Sequence, residues 1–298
     1  MPSTFCAKLR RMAEHFLDIL PLGKDGVRAL LSRASALKQQ KSSTKHQNRA
    51  LVCIFEKPST RTRVSFERAA HQLGAQAIVL RSDEMQLGRG ETIADTARVL
   101  SRYGDAVMLR TTAHARLTEL ATFSSIPIIN GLTDKSHPCQ ILADLLTCVE
   151  AGLDLETMQV AWIGDINNVT RSWIEAAQLF GFRLTLGTPL PGAGLPPEVS
   201  VTKDVMLAVR DADVVVTDTW VSMGCTDVAG QKQLLAPYQV NEAVMDAAKP
   251  SAIFLHCLPA VRGEEVTDGV IDGVHSRVWD EAENRLHAQK AILDWLWR

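Results

Sequence analysis

Ser59-Thr60-Arg61-Thr62 packs more chemistry into four positions than any other stretch of this 298-residue chain. An apolar run, Leu51 to Phe55, leads through Glu56-Lys57-Pro58 into a helical pattern that begins at Arg61 and continues through Phe66, Ala69, Ala70 and Leu73. Two hydroxyls therefore sit where a helix starts, beside its free backbone N–H groups, with a guanidinium in the first turn. Such an end suits a phosphate or a similar anion. An ordinary Ser/Thr cap would use the same residues. Arg61 argues against that simpler reading, because a cation in the first turn opposes the helix dipole unless an anion meets it.

Other reactive side chains fall at comparable places. His137-Pro138-Cys139-Gln140 opens a second helical stretch, and Arg110 ends an apolar run. Later come Asp165 with Asn167-Asn168, Asp218 followed by Ser222-Met223-Gly224, and His256-Cys257-Leu258-Pro259. The earlier set is rich in cations and donors. The later set offers a carboxylate for an ammonium, amide and hydroxyl groups for an amino acid, and a thiol. No glycine-rich loop ends in Lys-Ser/Thr, so a nucleotide is not expected. Trp162-Ile163-Gly164-Asp165 has one glycine where a dinucleotide fingerprint needs three. His137, Cys139, His256 and Cys257 are not at zinc-ligand spacing, and no metal is expected.

The elements needed to position these groups alternate. Short runs at 51–55, 76–80, 106–110 and 126–130, then at 159–163, 183–186, 213–217 and 252–256, read as strands. Helical stretches separate them, among them 25–40, 138–150 and an amphipathic stretch at 282–297. This is the pattern of parallel α/β architecture. Two halves, 1–150 and 151–281, are expected, with the helix from 282 to 298 packing back on the first. Open parallel sheets bind ligands beyond the carboxyl ends of their strands, where every motif above falls. A cleft between two domains follows.

A net charge of −2 and the lack of a long basic run give no support to nucleic-acid or membrane-surface binding. No apolar stretch approaches the ~20 residues needed to span a bilayer. Residues 1–22 mix charges through their apolar positions and do not resemble a secretion signal. The six cysteines are scattered and read as reduced thiols, so a cytoplasmic enzyme is expected. Cys53, Cys148 and Cys225 are expected to be structural.

The motifs together resemble the ornithine carbamoyltransferase family. Pro58-Ser59-Thr60-Arg61-Thr62-Arg63, His137-Pro138-Cys139-Gln140, Asp218-Thr219-Trp220-Val221-Ser222-Met223-Gly224 and His256-Cys257-Leu258-Pro259 match its motifs in order. Gly88-Arg89-Gly90-Glu91, Asp95-Thr96-Ala97-Arg98, Asn130-Gly131-Leu132-Thr133-Asp134 and Glu283-Asn284-Arg285 extend the match over essentially the whole chain. The first two motifs are shared with aspartate carbamoyltransferases; Ser-Met-Gly and His-Cys-Leu-Pro point to ornithine.

The resemblance implies two doubly wound α/β domains linked by helices, a homotrimer or a multiple of trimers, and no cofactor. It implies transfer of the carbamoyl group of carbamoyl phosphate to L-ornithine. Ser59, Thr60, Arg61, Thr62, Arg110, His137, Gln140 and Arg285 match carbamoyl phosphate ligands, and Cys257 and Leu258 match the loop between the substrates. Gln86 matches a glutamine that reaches a neighbouring subunit's site. Asn168, Asp218, Ser222 and Met223 match ornithine ligands; Arg61, His137, Asp218 and Cys257 match the catalytic groups. Three places depart from the common pattern: Ile166 for a small residue, Thr170-Arg171 for Ala-His, and Ala260 where some members carry arginine. Two other readings stand beside this one. A sibling enzyme would accept aspartate, N-acetylornithine or putrescine; a silent homologue would only bind a partner. Against aspartate, the loop around Gln86 lacks the lysine of the aspartate enzymes and Asp218 would repel a dicarboxylate.

Overall fold

Successive residues of a strand face opposite sides of its sheet, and the first strand shows how this chain uses both. In a computed structural model describing residues 14–40, 42–86, 90–192, 194–221 and 225–298, β1 spans Ala50–Phe55. Leu51, Cys53 and Phe55 enter one apolar cluster; Val52 and Ile54 enter another. A strand buried on both faces belongs inside a parallel sheet. It pairs in parallel with β2 (Gln76–Arg81) and β3 (Ala106–Arg110), and β3 pairs with β4 (Ile128–Leu132), giving the order β2-β1-β3-β4. The second sheet has five parallel strands in the order β7-β6-β5-β8-β9: β5 (Gln159–Ile163), β6 (Arg183–Gly187), β7 (Val199–Thr202), β8 (Val214–Thr217) and β9 (Ile253–His256). Each sheet reverses its winding once, between β1 and β3 and between β5 and β8. Those reversals are where such sheets open a crevice.

The expected α/β class is the one observed, with three local differences. Strand β7 is additional: a four-residue edge strand after Pro196-Pro197, only partly buried, with too few apolar positions to stand out. Strand β4 starts two residues later than 126, because the ladder continues through Asn130-Gly131-Leu132 opposite Arg110. A Cβ at Gly131 would stand 2.2 Å from the Met108 sulfur, so a side chain there would force Met108 to move, at the register skip that leaves Gly131 unpaired and sets Leu132 opposite Arg110. The last helix begins at Val278, not at 282. Leu87, Gly88, Ser222, Met223 and Gly224 lie outside the described residues.

Among the described residues the α-helices are α1 (Gly23–Lys38), α2 (Thr60–Gln72), α3 (Ile93–Tyr103), α4 (His114–Phe123), α5 (Pro138–Glu150), α6 (Asn168–Phe180), α7 (Val205–Val209), α8 (Val228–Leu235), α9 (Glu242–Asp246), α10 (Asp268–Ile271) and α11 (Val278–Leu296). None is long and apolar enough to cross a membrane. Helices α3 and α4 cover one face of the first sheet. The other face shares a continuous core with the second sheet: residues of α1, α2, α5, α6 and α11 join Leu51 and Met108 to Trp162, Val216 and Leu255. At its centre α5 is buried from Pro138 through Cys148.

Helix α11 packs against α1, α2, α5 and β9, and polar anchors hold it. Buried Lys290 donates from Nζ to Leu37 O (2.6 Å) and Gln40 O (3.1 Å), capping α1 with a cation where the helix dipole favours one. Asp294 accepts from Arg33 Nε (2.7 Å) and Lys45 Nζ (2.6 Å) and meets His46 Nε2 (2.7 Å). Burial opposes its charge, but these hydrogen bonds outweigh that and hold its carboxyl below the usual range. A depressed carboxylate stabilises the fold fully above its unfolded value of about 3.9 and progressively less as pH falls toward its folded value. Asp294→Asn should therefore cost ~1–3 kcal/mol in urea unfolding at pH 7. The gap should narrow as pH falls below about 4. Equal stability of the two proteins at neutral pH would show that this anchor contributes nothing.

Candidate active site

Helix α2 begins where the sequence places an anion site, and its first residues divide their work. Ser59 is the cap: its Oγ accepts the Thr62 N–H at 3.3 Å. Arg61 is half-buried and lines a cleft of about 170 Å³ between the carboxyl ends of both sheets. No acidic residue occupies the first turn to offset it. Thr62 is buried, and its Oγ1 accepts from Arg110 (3.2 Å) and from Arg285 (2.7 Å). Burial, then the neighbouring Arg285 and Arg61, lower the Arg110 pKa to about 10 despite the opposing influence of Cys257. Burial lowers that of Arg285 as well. Both guanidiniums keep a buried Nε without a partner. Two cations at one buried hydroxyl, with Arg61 lining the same cleft, make a place suited to an anion.

His137 caps the start of α5, ahead of Pro138 in the first turn. Its backbone N–H donates to Ser172 Oγ (2.8 Å), while the ring is buried with Nδ1 unpartnered. Burial, then Arg285 and Arg110, push its pKa well below the ordinary value, so the imidazole is neutral and offers one N–H. One turn on, Gln140 donates from Nε2 to Asp144 Oδ1 and to Glu281 Oε1, both at 2.7 Å.

The second sheet supplies a group of opposite character. Asp218 follows β8; its Oδ1 accepts from Thr219 N (2.8 Å) and Cys257 Sγ (3.2 Å), and its Oδ2 from Asn167 Nδ2 (2.7 Å). Burial, then Asp218, raise the Cys257 pKa far above the ordinary thiol value. Cys257 is thus a neutral donor and not a thiolate nucleophile. Asn168 reaches back to the first half through Nδ2 to Thr133 O at 2.8 Å. Leu258 holds φ at +56°, with its N–H donating to His256 Nδ1 (2.9 Å). Ligating atoms of Asp218, His256 and Cys257 lie within 4.8 Å of one another. The thiol is already spent on Asp218, and His256 Nε2 meets Glu265 at 3.2 Å while Nδ1 takes the Leu258 N–H. Those commitments leave a metal little to bind.

The cleft is lined by the sequence-expected Ser59, Arg61, Arg110, His137, Gln140, Asn168, Asp218, Cys257, Leu258 and Arg285. Thr62 lies behind it, bonded to two of its arginines. Thr60 is exposed and faces a neighbouring groove, and Gln86 is exposed and outside the cleft of its own chain. Sequence reasoning named the Asn167-Asn168 pair but gave only Asn168 a ligand role; Asn167 caps α6 through Oδ1 while Nδ2 fixes Asp218. It passed over Glu281 and Asp144. An aspartate inside the apolar run of α5, four residues from Gln140, was the available signal. The family departures do local work: Ile166 packs on the core, Thr170 Oγ1 accepts the Asn167 N–H at 3.1 Å, and Arg171 donates to Asp134 O at 3.2 Å.

Comparison with known proteins agrees in both halves. Residues 14–150 match the aspartate/ornithine carbamoyltransferase carbamoyl-P binding domain, and 156–296 match the Asp/Orn binding domain of the same family. An ornithine carbamoyltransferase of Bradyrhizobium diazoefficiens is 52% identical over 96% of this chain and 98% of its own. That of Rhodopseudomonas palustris is 52% identical over 94% and 96%. The solved ornithine carbamoyltransferase of Pyrococcus furiosus superposes with a TM-score of 0.88 at 42% identity, covering 94% of this chain and 96% of that one. A cleft that brings Arg61, Arg110 and Arg285 together with Asp218 and Cys257, within full-length matches of this kind, means that the chain belongs to the aspartate/ornithine carbamoyltransferase family, among its ornithine carbamoyltransferases.

Proposed function

We propose that this protein transfers the carbamoyl group of carbamoyl phosphate to the δ-amine of L-ornithine, giving L-citrulline and phosphate. The observation that carries this reading is the polarity of one cleft: Arg61, Arg110 and Arg285 on one wall, the Asp218–Cys257–Asn167 cluster on the other. A citrulline assay with a panel of amines tests it directly. Ornithine should be the preferred acceptor, and a higher kcat/KM for N-acetylornithine, putrescine or aspartate would overturn it.

The phosphate sits at the start of α2, against the three guanidiniums and the first-turn N–H groups. Carbamoyl phosphate is an activated acyl donor, so positioning and charge stabilisation suffice and no cofactor is needed. Arg61, Thr62 and the single N–H of neutral His137 polarise the carbonyl; one such donor is worth ~2.7–4 kcal/mol in related oxyanion sites. Gln140 offers its amide oxygen to the carbamoyl amino group. The backbone at Cys257 and Leu258 lies between the substrates, and Asn168, Asp218, Ser222 and Met223 hold ornithine. Ornithine arrives as an ammonium, with a lysine-like reference pKa of about 10.4. Held beside Asp218 and the Cys257 thiol, it loses one proton to solvent. The amine then attacks the carbamoyl carbon, a C–N bond forms, the bond from that carbon to the phosphate oxygen breaks, and the attacking nitrogen gives up a second proton to the departing phosphate, which leaves as hydrogen phosphate.

We also assign Gln86 to the carbamoyl phosphate site of a neighbouring subunit in a homotrimer. Its exposure outside its own cleft, and the glycines that follow it in sequence, Gly88 and Gly90, favour that reading.

Arg61→Ala should lower kcat at least ~100-fold with the fold retained, since Arg61 carries no core packing. Near-normal turnover in a refolded, monodisperse preparation would remove Arg61 from the clamp. Asp218→Asn should raise the ornithine KM at least ~10-fold and leave that for carbamoyl phosphate within about threefold. In the unaltered enzyme the ornithine kcat/KM should rise with pH through an alkaline pKa shared by amine, thiol and carboxylate. Because His137 is already neutral, no further limb should appear between pH 6 and 7; a limb there that vanishes in His137→Gln would contradict the assigned protonation state. Finally, an inactive Gln86→Ala chain and an inactive His137→Ala chain should recover activity when unfolded together and reassembled. About one site in three of a mixed trimer would be whole. A mixture as inactive as its parents, with trimers verified by mass, would place Gln86 elsewhere.

A further inference from the structure

Gln140 is held by two carboxyl groups that come from different parts of the chain. Its Nε2 has two hydrogens and donates one to Asp144 Oδ1 on α5 and one to Glu281 Oε1 on α11, each at 2.7 Å. Facing two carboxyl groups, the amide must present nitrogen to them, which turns Oε1 away. That oxygen is buried, has no partner, and belongs to a side chain lining the cleft. Glu281 Oε2 meanwhile accepts the backbone N–H of His256 at 2.8 Å, at the end of β9 immediately before Cys257. One carboxyl thus joins the helix bearing Gln140 to the strand end bearing the thiol.

We propose that Asp144 and Glu281 are positioning residues that share one proton and lock the Gln140 amide so that its oxygen reads the amino group of carbamoyl phosphate. This rests on the reading above that the cleft takes that ligand. The two carboxyl groups hydrogen-bond each other, and both Glu281 oxygens already accept N–H groups. One proton shared between the facing oxygens keeps two buried carboxylates from repelling each other. Burial raises both groups, Asp144 to about 7 and Glu281 well above its ordinary value; the nearby Asp144 adds to the rise at Glu281, whereas hydrogen bonds to Gln140 and Glu281 hold Asp144 down. The groups facing them are Arg285 from α11, Cys148 and Gln140 from α5, the Trp173 indole from α6 and Cys257 beyond β9. Arg285 is the one cation among these, and it favours keeping a single negative charge on the pair.

Acetyl phosphate, with a methyl group where carbamoyl phosphate has its amino group, isolates the contact. In the unaltered enzyme, carbamoyl phosphate should bind more tightly than acetyl phosphate, each measured as a dissociation constant at low temperature. In Glu281→Gln the new side chain has one acceptor and cannot serve both Gln140 and His256. The preference should fall at least ~10-fold, through weaker carbamoyl phosphate binding, with acetyl phosphate affinity within about threefold and Tm little changed. Equal loss of both ligands would reduce Glu281 to a structural residue, and an unchanged preference would overturn the proposal. Should that variant not fold, position 144 carries the same test. Asp144→Asn offers Glu281 an N–H in place of the shared proton and an oxygen to Gln140, and should retain most of the preference that Asp144→Leu loses; equal loss in both would refute the sharing. Gln140→Met separates the underlying reading. If it keeps the preference, the amide does not read the amino group. If the unaltered enzyme binds neither phosphate, it is the proposed function that fails.

Discussion

Two guanidiniums meeting at one threonine hydroxyl, with a third lining the same cleft, is a costly arrangement, and much of the rest of the molecule bears on it. Burial first, and then repulsion from Arg285 and Arg61, lower the Arg110 value to about 10. Arg285 stands 223 residues from Thr62 in sequence, so no local propensity brings them together. What holds it there is α11, sunk among α1, α2 and α5 and fastened by Lys290 and Asp294. Stability accumulated in the helical core sustains an unfavourable cluster at its edge. A bound phosphoanion relieves the repulsion, so ligand affinity and local strain are two views of the same electrostatic energy.

The shared core has a second effect. Apolar residues of both sheets belong to one cluster through α5 and α11, so the two walls of the cleft rest on one shared core. Asn168 to Thr133 and Glu281 to His256 add polar ties between the halves. Groups that must meet two different substrates are therefore held to a common frame, while the loops beyond the strand ends vary the contacts.

Much of this was legible in the sequence because strand ends are marked by abrupt changes of chemistry. The stop from apolar run to Glu56-Lys57-Pro58, or from Leu255 to His256-Cys257, locates a strand end without any tertiary information. Strand β7 was not legible, since a partly exposed edge strand of four residues has no distinctive pattern. Neither was the role of Glu281: starting the last helix at 282 left it in a loop, where an acidic residue needs no explanation. Buried carboxyl groups reveal themselves by what surrounds them in space, and their partners here lie 141 and 25 residues away. The bond from Asn167 to Asp218 was hidden for another reason. One side chain performs both a cap and a site contact, and the cap alone accounts for its presence.

The late position of Arg285 also orders events in time. A ribosome delivers both sheets, through His256 at the end of β9, before it delivers the guanidinium that completes the grip on Thr62. A nascent chain holding every residue of the first sheet still lacks the Arg285 guanidinium, along with the helix that packs on α1, α2 and α5. Vectorial synthesis thus leaves Thr62 without that partner, and the shared core open on one side, until the residues beyond β9 have been made.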